Sequence, residues 1–81
     1  MKIDLHGLSL WEAKEELIYK FLEAKGRGIH KITIIHGYKK GEVLKNYIRS
    51  KNFLKEMDKE GFKIKYKDLS FYGKTIIEMY Y

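Results

Sequence analysis

Two of the three histidines in this 81-residue chain are followed directly by glycine, at His6-Gly7 and His36-Gly37. Each dipeptide ends an apolar run and precedes a helical pattern, and the two lie about the length of one βαβ unit apart. If both runs are parallel strands of one sheet, both histidines emerge at its carboxyl edge, where open α/β sheets bind ligands. The pairing predicts one shared site.

Asp4 stands two residues before His6, so on a strand both side chains project from the same face. A carboxylate beside an imidazole fixes its tautomer, as a general acid or base requires. With His36 as a second proton-transfer group, the set could promote metal-free attack of an RNA 2′-hydroxyl on its phosphodiester. The same three side chains could instead ligate a divalent ion that polarises the phosphate. A purely structural alternative is that they satisfy nearby backbone groups.

Residues around the second His-Gly dipeptide are suited to binding phosphate. Lys39 and Lys40 precede a predicted helix, where the macrodipole disfavours a cation by ~0.3–1 kcal/mol. An anion held by lysine side chains and free backbone N–H groups would account for this placement. Glycines would let the backbone approach the phosphate closely. The candidate phosphate-binding residues are Gly7, Gly37, Tyr38, Lys39, Lys40, Gly41, Lys45 and Arg49.

The composition favours a polyanionic partner. Lys and Arg total 17 against 11 Asp and Glu, a formal net charge of +6, which is typical of proteins that bind nucleic acid or the ribosome. Cysteine is absent, so no disulfide or thiolate zinc site is possible. No apolar run approaches the ~20 residues that span a bilayer. We expect a cytoplasmic protein without membrane contact, monomeric or weakly self-associating.

Helix and strand signals alternate along the chain. Ser9 and Glu12 form a capping box, and apolar residues then recur at helical spacing as far as Gly26. Trp11 is predicted at the edge of the core. The β-branched run at 31–35 is typical of a central parallel strand, apolar on both faces, and His30 before it is expected in solvent.

The second half of the chain predicts one interrupted helix and two strands. The helix begins near Gly41, with Val43 facing inward. Its phase is broken at 50–52, so it is either one helix with a break or two short helices, ending at Gly61. Alternating residues predict a half-solvated strand at 62–67, and 74–80 is the last strand. The order β-α-β-α-β-β predicts an α/β protein of the α+β two-layer type, with a mixed four-stranded sheet and two main helices.

Three motifs resemble those of the Smr (small MutS-related) domain family. Asp4-Leu5-His6-Gly7 matches its D-L-H-G motif, and His36-Gly37 with Gly41 corresponds to its H-G-x-G motif. The tail at 73–79 is similar to its closing G-x-T-x-x-E-L strand. The resemblance runs over nearly the whole chain and implies a single domain, 1–81, that binds nucleic acid and, as in many members, nicks or cleaves it. It also implies roles in DNA repair or recombination, or in ribosome quality control.

The residues described above are compatible with three functions. The first is an endonuclease acting on RNA or on structured or single-stranded DNA, with Asp4, His6 and His36 as catalytic residues. The second is a binding module without chemistry, since Lys39 stands where the family's second motif usually has glycine. The third is a protein-interaction domain whose positive charge serves solubility.

Overall fold

The computed structural model describes residues 1–38 and 42–81. Over these residues the chain alternates strands and helices in the predicted order, with the second helix divided in two. The elements are β1 (Lys2–Asp4), α1 (Leu10–Gly26), β2 (Lys31–Ile35), α2 (Glu42–Ile48), α3 (Lys51–Lys59), β3 (Lys63–Asp68) and β4 (Lys74–Tyr80).

The four strands form one mixed sheet in the order β1-β2-β4-β3. β1 and β2 run parallel, with Asp4 opposite Ile35, because α1 returns the chain to the edge from which β1 began. β4 runs antiparallel to both β2 and β3, and a bulge interrupts the β3–β4 pairing between Tyr66 and Asp68. The predicted α+β arrangement with a mixed four-stranded sheet is confirmed.

The core lies on one face of this sheet. Strand residues of one alternating set, such as Ile3, Ile34 and Ile77, are almost fully buried. They belong to a single apolar cluster with residues of all three helices, including Phe21 and Phe53. The other alternating set is exposed or half-buried. The described chain is therefore two layers, helices over one sheet face, and the second face of β2 is half-open where the sequence predicted cover on both.

The predicted capping box begins α1. The Ser9 hydroxyl accepts from the Glu12 amide at 3.2 Å, and a Glu12 carboxylate oxygen accepts from the Ser9 amide at 2.9 Å. These hydrogen bonds lower the pKa of Glu12. The capped end fixes where the helix begins and hence the length of the loop that carries His6.

Ser50 divides the second helical region into two helices. Its hydroxyl accepts from the Phe53 amide at 3.1 Å, which makes it the N-cap of α3. The interrupted phase in the sequence is therefore a true helix boundary. None of the described helices is long and apolar enough to cross a membrane.

Of three predictions of local burial, two are wrong and one is confirmed. Trp11 is 71% exposed, since it lies about 200° around the helix from buried Ala13. Val43 is 63% exposed because only the neighbouring Leu44 side of α2 meets the core. The prediction that His30 lies in solvent is confirmed: the residue is exposed, and its Nδ1 also lies 2.8 Å from the Met79 carbonyl oxygen, because its loop runs beside the end of β4.

Candidate nucleic-acid interface

Both His-Gly dipeptides lie where β1 and β2 end and β4 begins, a place that we call the site edge. The backbone amides of His36 and Gly37 both donate to the Gly73 carbonyl, at 3.1 and 3.0 Å. Gly37 has φ +89°, and a Cβ placed on it would lie 3.3 Å from the Cβ of His6. The two loops thus meet, and a side chain at Gly37 would be strained and crowded.

Asp4 and His6 form a contact on the solvent side of the site edge. The Asp4 Oδ1 lies 3.2 Å from His6 Nδ1 and also accepts from the His6 backbone amide at 3.0 Å. The two side chains are 58% and 73% exposed. An ionised carboxylate can only accept a hydrogen bond, so Nδ1 is the donor of this contact, and in the neutral ring the lone pair then resides on Nε2. The pair therefore presents a proton acceptor to whatever binds here.

His36 projects from the opposite face of the sheet. The parallel register that sets Asp4 opposite Ile35 sets Leu5 opposite His36, and both are almost fully buried, His36 being only 1% exposed. The two loops meet, but the two imidazoles do not open onto one hollow. The reason is the period of two along a strand: His6 continues the exposed set of β1, whereas His36 continues the buried set of β2.

Thr75 and Arg49 surround the buried ring of His36. Its Nε2 lies 3.0 Å from the Thr75 hydroxyl oxygen, which also accepts from Arg49 Nε at 2.9 Å. Its Nδ1 has no hydrogen-bond partner among the described residues. Burial lowers the pKa of His36, and the positive charges of Arg49 and Lys45 lower it further. The Gly37 backbone and Glu42 raise the pKa, but the net shift is downward. His36 is therefore held neutral.

Arg49, a predicted phosphate ligand, uses its donors on the protein itself. Besides Thr75, its guanidinium donates to the carbonyl oxygens of Phe71 and Lys74, the latter at 3.0 Å. These bonds hold the connection between β3 and β4 against α2. Arg49 is half-buried, so its visible contribution is to the shape of the site edge.

An exposed pair of tyrosines stands beside these loops. The rings of Tyr38 and Tyr72 stack with centroids 6.1 Å apart and planes inclined by 15°, and the side chains are 70% and 53% exposed. Tyr38 lies against Gly73, where an added Cβ would come within 2.8 Å of its ring. Exposed rings of this kind are the groups on which nucleic-acid bases stack.

Glu42 and Lys45 of α2 fix Tyr72. The Tyr72 hydroxyl donates to Glu42 Oε2 at 2.8 Å, and Lys45 Nζ lies 4.2 Å from the ring centroid and 3.4 Å from Glu42 Oε1. The bond from Tyr72 lowers the pKa of Glu42, as does Lys45, and it raises the pKa of Tyr72. Lys45 is thus oriented over an aromatic ring at the site edge.

The remaining predicted residues have separate outcomes. Gly7 ends the first loop with φ +84°. The predicted phosphate ligands Lys39, Lys40 and Gly41 lie outside the described residues. In the part of the chain that the structure describes, no three His, Asp or Glu side chains gather to hold a metal ion. The ligand set proposed for a divalent ion is therefore not assembled there, because His36 faces the core.

Sequence reasoning assigned no site role to Thr75, Tyr72 or Glu42. Thr75 was visible only as part of the tail motif, and a threonine in a β-branched strand has no local feature that reveals a buried partner. The contact of Tyr72 with Tyr38 is tertiary, so no local spacing of residues indicates it. The spacing of Glu42 before Lys45, three residues apart on a helix, was the one local signal available.

The model of the Smr domain family matches residues 3–78, nearly the whole chain. The chain therefore belongs to the Smr domain family, whose members generally bind nucleic acid and include some endonucleases. Comparison with curated proteins and with solved structures found no match.

Proposed function

We propose that this chain is an RNA-binding endonuclease in which Asp4 and His6 are the reacting pair at the site edge. The observation that most directly supports this proposal is the 3.2 Å contact between the Asp4 carboxylate and Nδ1 of a His6 ring that is 73% exposed. It leaves Nε2 free to take a proton from a bound substrate. Membership of a family that generally binds nucleic acid and the net charge of +6 support the same substrate class.

The pair supports internal transesterification of RNA. His6 Nε2 takes the proton of a 2′-hydroxyl, and that oxygen attacks the adjacent phosphorus. The bond from phosphorus to the 5′-oxygen breaks, and the leaving oxygen takes a proton from water; the hydroxide so formed is neutralised by the proton that His6 then releases. The products are a 2′,3′-cyclic phosphate and a 5′-hydroxyl. Asp4 holds the imidazole in the required tautomer and stabilises the imidazolium that forms.

His36 acts as a positioning residue in this proposal. Its ring, buried against Thr75, ties the end of β2 to β4, and its backbone amide donates to Gly73. These contacts place Gly37 beside His6 and Tyr38 against Gly73. Tyr38 then offers a stacking ring at the site edge, while Lys45, 16% exposed and 3.4 Å from Glu42 Oε1, supports the Tyr72 ring stacked on it.

Binding without cleavage is the second candidate. The burial of His36 favours it, because only one of the two paired histidines is exposed to receive or supply a proton. On this alternative the contact between Asp4 and His6 only shapes the first loop, through the bond from Asp4 to the His6 backbone amide.

One assay separates the two candidates. Labelled single-stranded RNA, the same RNA with one 2′-deoxy position, single-stranded DNA and duplex DNA are incubated with the protein, with and without EDTA. The proposal predicts RNA cleavage that persists in EDTA, stops at the 2′-deoxy position and is lost in His6→Gln. His30→Gln, which removes the histidine near the end of β4 distant from the site edge, is the matched control and keeps activity.

The remaining outcomes are equally clear. Cleavage that survives His6→Gln would overturn the assignment of His6. Binding with no cleavage of any strand would establish the second candidate, and no binding of any strand at low salt would overturn both.

A further inference from the structure

We propose that the sheet face opposite the helices is a track for single-stranded nucleic acid that leads to Asp4 and His6. This inference rests on the proposed nucleic-acid function and specifies where and in what form the substrate binds. The open face, as we call it, consists of the exposed and half-buried alternating set of strand residues. They are Lys2, Asp4, Lys31, Thr33, Ile35, Lys63, Lys65, Lys67, Lys74, Ile76, Glu78 and Tyr80, together with Asp68, which the bulge in β3 sets opposite Ile76.

Charge on the open face is predominantly positive. Six of its thirteen residues are lysines, against three acidic residues, and the lysines come from all four strands. Glu78 lies between two of them, 3.4 Å from Lys65 Nζ and 4.0 Å from Lys67 Nζ. Lys2 and Lys31 are exposed and form no ion pair within the described residues. A polyanion laid on this face would meet cations along its whole width.

The helical layer lacks this surplus along α1. That helix carries four glutamates against three lysines: Glu12, Glu15, Glu16 and Glu23 against Lys14, Lys20 and Lys25. The open face, which also carries the candidate reacting pair, is therefore the more positive of the two surfaces. His6 continues the same alternating set beyond Asp4, so the track and the pair are continuous.

An apolar strip runs through the middle of the lysines. Thr33 pairs with Ile76, and Ile35 pairs with Lys74, in adjacent strands about 4.8 Å apart. The methyl groups of Thr33, Ile35 and Ile76 are half-buried although no described helix covers them. Tyr80, 48% exposed, adds an aromatic ring at the far end.

This combination fits a single strand better than a duplex. A duplex keeps its bases stacked inside and presents mainly phosphates and groove edges, so it would leave the apolar strip without a partner. An unpaired strand can lay its bases on the strip while its phosphates meet the flanking lysines, the way open four-stranded sheets hold single-stranded RNA. The open face thus selects unpaired RNA or DNA.

The first test removes two lysines from the track. Lys2→Gln/Lys31→Gln is compared with Lys55→Gln/Lys59→Gln, which removes the same charge from exposed positions of α3. Fluorescence anisotropy with a single-stranded oligonucleotide is measured over a range of salt. The open-face variant should bind more weakly and lose about 1.4 from the slope of log K against log salt, at about 0.7 per phosphate contact. The α3 variant should keep the wild-type slope.

The second test locates the strand directly by methyl NMR of isoleucine. Ile35 and Ile76 face the open side, whereas their chain neighbours Ile34 and Ile77 face the core and serve as internal controls. Single-stranded RNA or DNA should shift the first pair and leave the second nearly unmoved. Duplex DNA of equal length should produce weaker shifts.

The outcomes distinguish this proposal from the function on which it rests. If the wild type binds no oligonucleotide, the nucleic-acid function itself fails. If it binds, but the two double variants behave alike and Ile35 and Ile76 stay unmoved, the track is wrong while the site edge remains. Duplex binding that equals single-strand binding would also overturn the track.

Discussion

The two His-Gly loops share a dipeptide and a place in the fold, yet their histidines differ in almost every physical respect. His6 is 73% exposed and contacts a carboxylate, whereas His36 is 1% exposed and contacts a threonine hydroxyl. The difference follows from which alternating set of its strand each histidine continues. Two histidines at equivalent positions can therefore have different roles. One exposes a reactive side chain, and the other holds in place the loop that completes the site.

The largest expected effect concerns the exposed histidine. His6→Gln should lower RNA cleavage by about 10²–10⁴-fold, the range that a positioned general base contributes. Its free energy of unfolding should change by less than about 0.5 kcal/mol, as for other exposed substitutions. Single-turnover cleavage and urea unfolding of the same preparation check both. Loss of activity that merely tracks loss of folded protein would remove the contrast with His36.

The buried histidine should give the reverse pattern. His36→Ala should cost about 2–3 kcal/mol of unfolding free energy, because it empties core volume and removes the bond to Thr75. Thr75→Val tests the same bond with little change of volume and should cost about 1–3 kcal/mol. Thermal and urea unfolding measure both variants, with His6→Ala as the matched control. A stable His36→Ala protein that is inactive would assign His36 to the chemistry instead.

The tyrosine pair should affect binding more than folding. Tyr38→Ala should weaken single-stranded RNA binding by about 1–3 kcal/mol, the contribution of one stacked base, while Tyr38→Phe keeps the ring and should bind as the wild type does. Anisotropy at fixed salt makes the comparison. Equal affinities for the alanine and phenylalanine variants would exclude stacking at Tyr38.

The smallest expected effect is a pH dependence of folding stability that comes from the buried His36. Because burial lowers the pKa of His36 in the folded chain, the unfolded chain takes up its proton first as pH falls below about 6.5. Folded stability should therefore decline from that pH downward. His36→Gln should reduce this decline, measured by urea unfolding of both proteins at pH 7.5 and 5.5. An identical decline in wild type and His36→Gln would refute the assignment.

Local signals in the sequence determined most of the fold. The capping box at Ser9, the broken phase at Ser50 and the alternation before Lys67 each report on a few neighbouring residues, and each appears in the structure. Burial at element margins was less predictable. Trp11 is apolar enough for a core, but its angle around α1 turns it to solvent.

The site was predictable only up to the loops. Asp4 and His6 are two residues apart, so strand geometry predicts that they share a face, but their contact depends on the turn in which the His6 amide donates to Asp4 Oδ1. The orientation of His36 depends on the register between β1 and β2, which the sequence does not state. Two other features depend on how the connection between β3 and β4 packs against the rest of the chain. They are the stacking of Tyr38 on Tyr72 and the hydrogen bonds from Arg49 to backbone carbonyl oxygens.

The central claim is that His6 meets the bound strand and His36 does not, and the chain's three histidines make it directly measurable. Proton NMR of the imidazole Cε1–H signals during titration with uncleavable 2′-deoxy single-stranded oligonucleotide reports on each ring separately. The account predicts that the His6 signal shifts progressively to saturation while those of His36 and His30 remain nearly fixed. A His6 signal that stays in place at saturating oligonucleotide, with that of His36 moving instead, would contradict it.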